Sequence, residues 1–161
     1  MADNPTRKVA VILSRERVES RWESHRWQLV GVVPDPGGAA RTLVETGGTL
    51  QRLHPGFDLT LYRAEAEGYY LNASSEAPSV FVSIRYDEAG DAYPFQCTMS
   101  YNEAARWMDG AERVERALAW PELAGWLATW VEANYRPEPK KRQRPRSFEG
   151  KEGRLREPGD S

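Results

Sequence analysis

From Ser79 to Tyr86 the chain reads Ser-Val-Phe-Val-Ser-Ile-Arg-Tyr, a run without Gly or Pro in which Val80, Val82, Ile84 and Tyr86 share one side of an extended strand. A period of two cannot be wrapped onto a helix, so this segment commits the chain to a sheet with at least one buried face. Other segments have the same character. Lys8 to Leu13 is β-branched and apolar, and Trp27 to Val33 is a second extended run that stops at Pro34-Asp35-Pro36-Gly37-Gly38; the two are expected to pair. Asp58 to Arg63 places Leu59 and Leu61 on one face, and Phe95, Cys97 and Met99 alternate with polar neighbours. Gly68 to Asn72 reads as an aromatic-rich strand, and Thr49 to Leu53 as a short one. Residues 34 to 48, with four glycines and two prolines, read as a surface loop, and His54-Pro55-Gly56-Phe57 as a turn. Short turns between successive strands favour an antiparallel meander, a curled sheet or a small barrel.

The pattern changes after residue 99. Ser100 followed three residues later by Glu103 is a capping-box signature, Ala104 to Met108 suits a helix, and Gly110 supplies its stop. Val114 to Ala119 reads as a last strand or a linker. Pro121 then opens a second helix, in which Leu123, Trp126, Leu127, Trp130, Val131 and Asn134 fall on one face to be buried against the sheet. The fold class is therefore α+β, mainly antiparallel β packed by a C-terminal amphipathic helix.

Length and charge divide the chain. Its 161 residues suit one core, with residues 1–139 forming a single globular domain. Residues 140–161 cannot bury enough apolar surface to offset their ordering entropy and read as a disordered basic tail. The formal charge of −2 conceals this division: residues 136–161 carry net +4 and leave the body at −6. An acidic globule argues against nucleic-acid binding through the folded surface, because phosphate contacts need clustered Lys and Arg. No run of about 20 apolar residues offers a membrane span. The apolar stretch at Val9 to Leu13 is too short for a signal peptide, and a lone cysteine fits a reducing compartment, so a cytoplasmic protein is expected.

Chemistry-bearing motifs are few. With His25, His54 and Cys97 alone, and no CxxC or HExxH, neither a metal nor another cofactor is expected. Alternation with Phe95 and Met99 makes Cys97 an inert core thiol. No G-x-S-x-G elbow or Gly-rich phosphate loop is present, and no catalytic residue is indicated. Two candidate binding segments remain. Trp22, His25, Arg26 and Trp27 could form an aromatic and cationic recognition patch, or the tryptophans could cap the edge of the barrel with Arg26 over a ring. Lys140, Lys141, Arg142, Arg144 and Arg146 form a basic run that reads as a solvated tail, a nucleic-acid arm or a handle for an acidic partner.

Several blocks in order, Trp22 to Val32, Tyr70 to Ser75, Pro78 to Val82 and Trp120 through Trp126 to Pro139, resemble a bacterial domain-of-unknown-function family encoded beside molybdenum-dependent formate dehydrogenase genes. The resemblance implies a non-enzymatic accessory or binding protein of such a dehydrogenase system, acting in assembly, in maturation or as a small partner subunit. A protein that binds or acts on the molybdenum cofactor or its nucleotide is the alternative, and nucleic-acid binding through the tail is a weaker one.

Overall fold

The computed structural model describes residues 4–19, 21 and 24–137. The basic run and the disorder expected from residue 140 onward lie outside the described residues, as does Trp22. Among the described residues, seven strands and three α-helices are arranged in the order β1 (Thr6–Arg17), β2 (His25–Pro34), β3 (Arg41–Thr46), β4 (Thr49–Thr60), α1 (Ala66–Ala73), β5 (Ser79–Tyr86), β6 (Ala92–Thr98), α2 (Tyr101–Asp109), β7 (Arg113–Leu118) and α3 (Pro121–Asn134). All pairings are antiparallel, in one sheet ordered β2-β1-β4-β3 and a second ordered β6-β5-β7. The α+β class is as expected, and β1 and β2 pair. Neither sheet closes on itself, so the small barrel is not formed.

The core lies between the sheets. Val9, Val11 and Leu13 of β1 meet Val80, Val82 and Ile84 of β5, with Leu59, Leu61 and Met99 completing the layer. Helix α3 seals one side as its spacing required. Leu123, Leu127 and Val131 are buried, each contributing about 1.5–3 kcal/mol, while Trp126 and Trp130 pack half-buried at the margin. The Arg7 guanidinium stands over the Trp126 ring and pairs with Glu122 at 2.7 Å, fastening α3 to the start of β1. Pro121 occupies the first turn of α3, where its missing N–H costs nothing. The Ser100 hydroxyl accepts the Glu103 N–H and caps α2, and Gly110 ends that helix.

Four segments differ from what the sequence leads one to expect. Gly68 to Asn72 is helical, not extended, because α1 wedges Tyr69 and Asn72 into the interior. Asn72 donates from Nδ2 to the carbonyls of Ser79 and Met99 and accepts the Ser79 N–H, while the Tyr69 ring meets Trp130 edge-to-face at 5.4 Å. These contacts outweigh the weak β-preference of consecutive tyrosines. His54 to Phe57 is no turn: β4 runs through it, and one extra residue is absorbed as a bulge where Val9 faces Phe57 and Val11 faces His54. Residues 34–48 contain β3, joined to β4 by a two-residue turn at Gly47-Gly48. On β6, Phe95 is exposed rather than buried, because the inward positions after the β5–β6 register shift are Ala92, Pro94 and Thr98. No helix among the described residues is long and apolar enough to cross a membrane.

Candidate functional site

The site is built where the two sheets fail to join. Strands β2 and β7 lie side by side without a backbone ladder, and side chains of β7 stand in for the missing strand partner. Glu115 accepts the Leu29 N–H through Oε1 at 2.9 Å, and Arg113 donates to the Trp27 carbonyl at 2.6 Å. Arg113 and Glu115 are also ion-paired with each other, and Arg113 reaches the Tyr86 hydroxyl. Unmet edge groups on β2 are thereby satisfied, as half-buried backbone requires.

Towards the end of β1 the core opens. Leu13 faces Leu29, then Arg15 faces Trp27 and Arg17 faces His25, so the side that is apolar up to Leu13 becomes cationic beyond it. Trp27 marks the boundary: its side chain is 7% exposed and belongs to the core, with the Arg15 guanidinium 5.8 Å from its ring centroid. Above it lies a cleft of about 950 Å³, lined by Arg15, Ser24 to Gln28, Tyr86, Ala89 to Asp91, Arg113 and Glu115. The far wall is the β5–β6 turn. Asp87 fixes it by accepting the N–H groups of Ala89 and Asp91, and Gly90, at φ +86°, supplies the left-handed residue the turn needs. That turn holds Asp91 3.9 Å from Arg15, too long for a tight ion pair. A smaller depression of about 140 Å³ shares Arg15 and His25 with the cleft and adds Arg17, Glu45 and Thr46 to Leu50.

Of the residues singled out in the sequence, His25, Arg26 and Trp27 come together on this cleft. Trp22 and the five basic residues Lys140, Lys141, Arg142, Arg144 and Arg146 lie outside the described residues. His25 is exposed and within 3.2 Å of the Ser24 hydroxyl. The sequence reading missed Arg15, Arg17, Arg113 and Glu115. Their signal was available: each pair is spaced by two within a strand, which puts both members on one face. Cys97 is not part of the cleft. Burial pushes its thiol up to about 12, which suits an inert group. Among the described residues no group of three or more His, Cys, Asp or Glu could hold a metal ion.

The fold and the site define an α+β domain of two antiparallel sheets with an arginine-lined cleft at their seam. The chain belongs to the family described as protein of unknown function (DUF3305), whose profile matches residues 8–144. No curated protein and no solved structure matches it significantly.

Proposed function

We propose that this chain is a non-enzymatic binding protein of the cytoplasm, an accessory of a molybdenum-dependent formate dehydrogenase system, and that it docks its partner at the seam cleft. The dehydrogenase rests on the resemblance of the sequence blocks. The docking site rests on one structural observation: arginines from three strands, Arg15 of β1, Arg26 of β2 and Arg113 of β7, are among the residues that line one open cleft on an otherwise acidic body. Asp91 and Glu115 also line it, so the three arginines leave the cleft net cationic, and a concave site of net positive charge draws a partner of the other sign. Arg113 and Glu115 neutralise each other and hold the seam, whereas the long Arg15–Asp91 contact leaves Arg15 able to exchange partners.

The test is affinity capture of the tagged full-length chain from cells that express the dehydrogenase, beside an Arg15→Gln/Arg26→Gln variant and a Lys8→Gln control at the opposite end of β1. A dehydrogenase subunit recovered with the native chain and the control, and lost with the cleft variant, is the expected result. Native chain that recovers no dehydrogenase subunit overturns the assignment. A second reading is favoured by size alone: about 950 Å³ lies within the range of small-molecule sites, so the cofactor or its nucleotide could occupy the same cleft. Cofactor retained in stoichiometric amount after purification would support that reading.

A further inference from the structure

Resting on the docking site just proposed, we infer that the group the cleft recognises is an acidic, extended peptide segment of the partner protein, its carboxylates paired with Arg15 and Arg17. Shape carries the first part. The cleft and the smaller depression share Arg15 and His25 and so form one track, not a closed pocket; it runs from Tyr86 and Gln28 past Arg15 to Arg17 and the Gly47-Gly48 turn. An elongated, open track suits a chain in extended conformation better than a compact anion, which would use one end of it.

Charge carries the second part. Arg15 and Arg17 are two apart on one strand and share a face, so their Cα atoms are spaced about 6–7 Å along the track. Successive same-side side chains of an extended peptide have that same spacing. Of the anions already present, Glu45 lines the depression with Arg17 at the far end of the track, and the two nearer Arg15 are held elsewhere. Glu115 is committed to the Leu29 N–H and to Arg113, and Asp91 sits 3.9 Å from Arg15 on a turn held by its own hydrogen bonds. A partner carboxylate reaching Arg15 would make the closer, better-aligned pair, since guanidinium and carboxylate match as two parallel hydrogen bonds.

The probe is a fluorescein-labelled octapeptide of glutamate, with the glutamine octapeptide as its neutral twin, titrated by anisotropy against the full-length chain at low salt. The expected result is binding of the glutamate peptide only, weakened about tenfold by Arg15→Gln/Arg17→Gln and left unchanged by Lys8→Gln. Melting curves establish that each variant is folded. Because the basic tail is a competing site, a chain with Lys140, Lys141, Arg142, Arg144 and Arg146 all replaced by Gln is titrated too, and must retain the binding. Equal binding of the two peptides, binding that follows the tail charges, or displacement by pyrophosphate at lower concentration than by unlabelled peptide each overturns the inference. The assay contains no dehydrogenase. Peptide binding with failed capture removes the dehydrogenase assignment alone, and capture without peptide binding removes the acidic-segment chemistry alone.

Discussion

Replacing Asn72 tests how α1 is locked to the second sheet. The side chain is 2% exposed and all its hydrogen-bonding capacity towards the sheet is used: Nδ2 reaches the Ser79 carbonyl at 2.8 Å and the Met99 carbonyl at 2.9 Å, and Oδ1 takes the Ser79 N–H at 2.9 Å. Asn72→Ala removes three hydrogen bonds of about 1 kcal/mol each and leaves one donor and two acceptors buried without a partner, for a total of about 3–5 kcal/mol. With a urea m-value of about 2 kcal/mol/M, the unfolding midpoint should fall by about 2 M at unchanged slope. Asn72→Asp keeps the shape but sets a carboxylate against two carbonyls. Its folded pKa must then rise above the unfolded value, so the variant is most stable below the ordinary carboxyl range and loses stability as pH climbs through the raised value. Urea melts between pH 3 and 8 separate the cases. An alanine variant within 1 kcal/mol of the native chain, or an aspartate variant with no such loss towards neutral pH, would refute the reasoning.

Gly68→Ala should destabilise by about 1–3 kcal/mol in a thermal melt despite the helix propensity it gains, because the new Cβ would stand 2.1 Å from the Ser100 hydroxyl that caps α2. His54 is held below its ordinary value of 6.5, first by burial and then by Arg52, and its buried Nε2 has no hydrogen-bond partner. The unfolded chain therefore takes up this proton more readily, so the stability is full above about pH 6.5 and is lost as pH falls towards the lowered value; His54→Gln should flatten that acid limb in urea melts. Cys97, raised to about 12, should react with a thiol reagent at pH 8 at least about a hundredfold more slowly in the native chain than in urea.

Those parts of the fold that carry their own local chemistry were legible in the sequence. The cap at Ser100, the stop at Gly110, Pro121 at the first turn of α3 and the period-3.6 stripe from Leu123 to Val131 all form as spaced, since each depends on residues within one or two turns. The β1–β2 pairing was likewise visible in two apolar runs. What failed depended on distant partners. Tyr69-Tyr70 has the residue preference of a strand, and only burial against Trp130 together with the Asn72 bonds to Ser79 and Met99 makes it helical. Pro55-Gly56 looks like a turn until β1 is present to hold β4 straight across a bulge. At the cleft, His25 to Trp27 stood out by composition, but Trp27 proved to be its floor and a core residue. Arg15 and Arg17, beyond the apolar run that marked β1 in the sequence, remain in the strand, and their common face opens onto the cleft because β7 meets β2 through side chains instead of a ladder.

Photo-crosslinking in living cells tests the docking site most directly. A benzophenone side chain placed at Gln28, exposed on the cleft, is compared with one at Tyr62, exposed on the groove between β4 and β6. An adduct with a formate dehydrogenase subunit is expected from position 28 and none from position 62. An adduct from position 62 alone, or none from either site while the dehydrogenase is expressed, would contradict it.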